Sequence, residues 1–177
     1  MKKFLSAFFL LTAFVSTTTL LAQGEDKSKR PSPPATFTTS NNGLTVKIDY
    51  SQPAVKGRTI GKEIAPYGKV WRTGANEATL FEVSRDAKVE GKDLKAGKYS
   101  MFTIPGENEW QFILNSETGQ WGIKQGGEAN RDPAKDVLTF TVKPTKAPSF
   151  TERLTFADKN GKIAMMWGDT EVDFTVQ

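Results

Sequence analysis

Between Trp71 and Glu77 the sequence reads WRTGANE, which sets an indole, a guanidinium, an amide and a carboxylate within seven residues around Gly74. Carbohydrate recognition uses such a set: aromatic faces stack on the apolar faces of sugar rings, while Arg, Asn and Glu hydrogen-bond the hydroxyls. Arg58 lies upstream, and Trp121 lies downstream in the glycine-rich stretch ETGQWG, where it reads as a stacking platform or a loop anchor. Arg58, Trp71, Arg72, Asn76, Glu77 and Trp121 are therefore the candidate ligand-binding residues. The same residues have an architectural reading, in which Trp71 caps a core, Arg72 pairs with Glu77 or Glu63, and Asn76 holds a turn through its own backbone.

The 177 residues include neither Cys nor His. That excludes a Ser-His-Asp triad, a Cys nucleophile, disulfides, haem or iron–sulfur ligation, and zinc sites built from imidazole or thiolate. No metal or cofactor is expected, and any catalysis would run on carboxylates, Lys, Arg, Tyr, Ser or Thr. Glycoside hydrolysis needs two carboxyl groups at a set separation, and Glu63, Glu77, Glu117, Glu128 and Asp132 are the candidates. A carboxylate-dependent hydrolase is thus the alternative to a non-catalytic binding domain for a glycan or other polar ligand. A structural envelope module making protein contacts through its sheets is a third reading. The run GRTIGK at 57–62 is one residue too short for a phosphate loop and lacks the following Ser or Thr. DKNG at 158–161 lacks the length and distant Glu of a calcium loop and reads as a hairpin turn.

The N-terminus carries Lys2 and Lys3, then the apolar run Phe4 to Val15, then smaller residues up to Ala22, the pattern of a cleavable secretory signal over 1–22. No Cys follows to accept a lipid, so the expectation is a periplasmic or secreted protein with no stable membrane insertion after cleavage. Loss of Lys2 and Lys3 lowers the formal net charge from +4 to +2, which argues against a nucleic-acid partner. Residues 23–36 are charged and Pro-rich, with little apolar matter to offset the entropy of ordering, and read as a flexible linker. A single domain is expected over 37–177.

Period-two alternation must supply the elements that position the candidate residues. Leu44, Val46, Ile48 and Tyr50 alternate with polar neighbours and mark one strand. Others are expected over 78–84, 98–104 and 110–115, through Leu138–Phe140–Val142, and as a three-stranded C-terminal meander turning at Asn160–Gly161 and Gly168–Asp169. Trp110 and Trp167 fall in phase with core residues, and Tyr67 and Tyr99 read as core residues with satisfied hydroxyls. No helical stripe is present. The fold class is all-β, an antiparallel β-sandwich with jelly-roll as one subtype and a partly open barrel as the alternative. Two long loops, 56–78 and 116–136, carry the candidate residues; the first has a local charge of +3 and enough apolar content to fold down on the sandwich.

Residues 49–79, DYSQPAVKGRTIGKEIAPYGKVWRTGANEAT, followed by LKAGKYSMFTIPGENEWQFILN at 94–115, resemble the bacterial family catalogued as domain of unknown function 2911. The markers are Tyr50–Ser51–Gln52–Pro53, Gly57–Arg58, Pro66–Tyr67–Gly68, the run Trp71 to Ala78, Ala96–Gly97–Lys98–Tyr99 and Ile104–Pro105. The resemblance implies a secreted or periplasmic domain with no assigned activity.

Overall fold

The computed structural model describes residues 26–177. After a short 3-10 turn at Lys27–Lys29, ten strands follow: β1 (Pro34–Asn41), β2 (Leu44–Ser51), β3 (Thr79–Val83), β4 (Ala87–Val89), β5 (Lys92–Leu94), β6 (Gly97–Ile104), β7 (Trp110–Asn115), β8 (Asp136–Val142), β9 (Thr145–Lys159) and β10 (Lys162–Thr175). Six form an antiparallel sheet in the order β1-β2-β3-β6-β7-β8, which is up-and-down except where the β4–β5 hairpin interrupts it. The crossed-over order of a jelly roll is absent from these pairings, and the sheets do not close into a barrel. Hairpin β9–β10 forms the second layer, extended at one side by β4, whose Val89 bridges Val176, and at the other by Ala54, which bridges Arg153.

Alternation decides which face each strand buries. Leu44, Val46, Ile48 and Tyr50 are all buried, as are Phe81, Phe112, Leu114 and Phe140 on the same sheet face. Facing them, Leu154, Phe156, Met165, Val172 and Phe174 come from β9 and β10. Phe174 is the keystone: its ring meets Phe81, Phe112 and Phe140 at centroid distances of 5.3 to 6.3 Å. Burying such a side chain contributes about 2 to 3 kcal/mol, so this contact helps to hold the two layers together.

The turns follow their residues. Asn42–Gly43, Glu90–Gly91 and Asn160–Gly161 all have positive φ at both positions, as the tightest right-twisting hairpins require. Gly168–Asp169 is not a turn between separate strands. It lies within β10, where Gly168 has φ +59° and the register to β9 shifts on either side, so the expected three-stranded meander is two long strands with an irregularity. Ordered structure also starts earlier than the composition suggests. Residues 26–33, expected within a linker, lie against the sandwich: the Gln52 amide donates to Pro33 O at 2.9 Å and Arg153 donates to Pro31 O at 3.1 Å.

Candidate functional site

The run WRTGANEAT is a closed excursion from the large sheet. Trp71 exchanges both backbone hydrogen bonds with Thr103 of β6, while Thr79 pairs with Met101, so seven residues, 72–78, lie between two ladder positions that flank Phe102. The Thr79 amide donates to Arg72 O at 3.4 Å and closes the loop at its base. Inside, Thr79 Oγ1 donates to Thr73 O at 2.8 Å, and the buried hydroxyls of Thr73 and Thr103 lie 3.3 Å apart. Gly74 is needed for close approach, because a Cβ there would come within 2.8 Å of Thr79 Oγ1 and 3.1 Å of Ser51 O. Thr73 (φ +53°) and Asn76 (φ +61°) take left-handed conformations, a strained choice for the β-branched Thr73 that the buried hydroxyl bonds hold in place.

These two reversals send the side chains to opposite sides of the excursion. On one side Arg72 joins Trp71 and Arg58 in a half-open cleft of about 900 Å³ between the two long loops. Loop 56–78 supplies Arg58, Glu63, Ile64, Lys69, Val70, Trp71 and Arg72, and loop 116–136 supplies Ile123, Glu128 and Arg131 across from them. Trp71 is half-buried, stacked on Trp167 (5.1 Å, 7° between planes) and edge-on to Trp110. Trp110 and Trp167 are core residues, as their phase implied; the indole N–H of Trp167, at the floor of the cleft, meets no acceptor among the described residues.

Arg72 is half-buried. Its Nε donates to Gly74 O at 3.3 Å, and among the described residues it has no carboxylate partner. Burial away from water lowers its pKa from the ordinary arginine value. Its aliphatic stem lies against Gly122, where a Cβ would fall 2.2 Å from Arg72 Cδ. The second loop is pinned at the same point, since the Gly122 amide donates to Asn76 O and the Ala78 amide to Gln120 O. Arg58 donates to the carbonyls of Ala54 and Val55. Arg131, which sequence reasoning passed over, forms a two-pronged ion pair with Asp136 that raises its pKa, and it fixes the far wall of the cleft.

On the other side of the excursion, Asn76, Glu77 and Trp121 hold the N-terminal segment. Asn76 Nδ2 donates to Ser32 O at 3.0 Å and to Ser51 Oγ at 3.2 Å. Glu77 does not pair with Arg72; it accepts from Lys27 at 2.8 Å and from Arg30 at 3.1 and 3.2 Å. Trp121 is 47% exposed and lies under the Arg30 guanidinium at 5.9 Å, bridged by backbone to Glu77 and not lining the cleft. Arg30 had no sequence signal beyond its charge in a Pro-rich run. Tyr67 corrects its expectation too: it is 44% exposed, its ring laid over Gly61, whereas Tyr99 is buried and donates to Lys95 O.

The two carboxylates lining the cleft, Glu63 and Glu128, come from opposite loops. Glu63 Oε2 already accepts the Thr59 amide at 2.7 Å. Among the described residues no group of three or more acidic side chains is arranged to hold a metal ion. The arrangement suits binding: hydrogen-bond donors and cations on an apolar floor between two pinned loops. Searches of curated proteins and of solved structures returned no match. A family model does match, over residues 32–176, under the description "protein of unknown function (DUF2911)"; it spans the excursion and both loops and begins at the last two residues of the docked segment, and the chain belongs to that family.

Proposed function

We propose that this protein is an exported, non-catalytic binding domain that takes a glycan or other polar ligand in the cleft between loops 56–78 and 116–136. The observation that carries the reading is Arg72, a half-buried guanidinium that lines a concave site without a carboxylate partner among the described residues. Leaving a charged donor partly desolvated and unpaired destabilises a fold, and a ligand that meets it recovers that free energy on binding. Trp71, Ile64 and Val70 supply the apolar surface against which a ring lies. Asn76, Glu77 and Trp121 leave the ligand set, because their polar atoms and ring face hold the N-terminal segment.

A glycan array probed with the parent protein, Arg72→Ala and Arg58→Ala tests the reading. Parent binding to a defined glycan class, lost in Arg72→Ala while the thermal melt is retained, is the expected result. An array with no parent signal would refute a glycan as the ligand, and signals that neither substitution changes would refute the cleft as the binding site.

A further inference from the structure

The charge of the cleft narrows the ligand class, and the inference rests on the cleft reading above. Four cationic side chains line the site, Arg58, Lys69, Arg72 and Arg131, against the carboxylates Glu63 and Glu128. Arg131 is neutralised by Asp136. Arg58 is bonded only to carbonyls, which satisfy N–H donors without cancelling charge. Lys69 and Arg72 have no anionic partner among the described residues. Loop 56–78 therefore presents three cations with no ion-pair partner among the described residues, against Glu63 of the same loop, which accepts a backbone amide, and Glu128 of the other, so positive charge prevails in the cleft.

A neutral polyol hydrogen-bonds such a site but leaves its charge in place. An oxyanion hydrogen-bonds the site and cancels charge as well, and it can take two parallel N–H bonds from one guanidinium. Size bears on what carries the anion. A lone phosphate would fill a small part of about 900 Å³, a volume at the upper end of small-ligand sites, which fits a short saccharide. We infer that the cleft binds an acidic saccharide, with Arg72, Arg58 and Lys69 receiving its oxyanion and Trp71 receiving the sugar body. The anion is a carboxylate or a sulfate ester.

Calorimetric titration of the purified protein with tri-galacturonate, a sulfated carrageenan disaccharide and maltotriose tests this and separates the two anions. At least one acidic probe is expected to bind about ten-fold or more tightly than maltotriose. Its affinity should fall several-fold between roughly 0.05 and 0.3 M salt. Arg72→Gln should weaken it about ten-fold or more. Lys69→Gln, on an exposed loop position, serves as a second variant with little risk to folding, and Lys146→Gln, outside the cleft, should change nothing. Equal binding of maltotriose and the acidic probes, lost in Arg72→Gln, overturns the anion inference and leaves the cleft reading standing. Acidic binding that survives both Arg72→Gln and Lys69→Gln overturns the inference, as does failure of both acidic probes to bind. Whether the cleft reading falls with it is then decided by the array, which includes neutral glycans.

Discussion

Replacing Glu77 by Gln measures how firmly the N-terminal segment is fastened. In the folded protein, burial works to raise the Glu77 pKa, but hydrogen bonds from Lys27, its own amide and Arg30, with the Lys27 charge, outweigh it and bring the value from 4.5 to about 2. Taken at face value such a shift is worth about 3 kcal/mol of stability. The side chain is 37% exposed, however, and water screens the Lys27 pair, so about 1 kcal/mol is the expected share. A carboxyl that is more acidic when folded stabilises fully above its unfolded pKa, and the contribution is lost as pH falls through about 4.5 toward about 2. Urea melts of the parent and Glu77→Gln across that range should therefore converge at the acid end and differ by about 1 kcal/mol at neutral pH. Arg30→Gln, alone and combined with Glu77→Gln, completes a cycle whose coupling should account for about half of that difference, with Lys27 supplying the rest. Parallel stability curves for parent and Glu77→Gln through the acid range would refute the assignment of Glu77 as the fastening point.

Three further outcomes follow from the geometry. Arg72→Ala should change stability by less than about 1 kcal/mol, because it removes one long hydrogen bond and strands no carboxylate; a loss near 3 kcal/mol in denaturant melts would mean a buried pair after all. Gly122→Ala drives a methyl into the Arg72 stem and to 2.9 Å from Asn76 O, and should destabilise by about 1 to 3 kcal/mol, with faster hydrogen exchange at the Ala78 and Gly122 amides. Thr79→Val leaves Thr73 O without its buried donor, and melts should show a loss of about 1 to 2 kcal/mol.

The sheet was readable because its signal is local: Leu44 to Tyr50 alternate so regularly that burial could only fall one way. β1 was missed because PATFTTSN has a single large apolar residue, although Asn42–Gly43 beside it is a strong hairpin signal. β4 and β5 are three residues each, too short for any period to register, and their cue was the turn between them. The two long loops were legible as loops, and Arg58, Trp71 and Arg72 do share a cleft. The division of Arg72 from Asn76 and Glu77 was not, because it depends on left-handed backbone at Thr73 and Asn76, which those residue types rarely adopt and which only tertiary hydrogen bonds enforce. Arg30 was hidden for a related reason: a Pro-rich charged segment looks unattached until the partner it docks on is in place.

Because the excursion leaves and rejoins the sheet opposite Thr103 and Met101, on either side of Phe102, it behaves as a cassette mounted on an otherwise continuous ladder. Splicing Trp71 to Thr79 through one residue would place that residue opposite Phe102 and restore an unbroken strand in register. The ladder and the excursion are thus separable in the genetic sense. Change can accumulate in residues 72–78 without passing through a broken sheet, and the same junction offers a defined seat for foreign loops on a cysteine-free β frame.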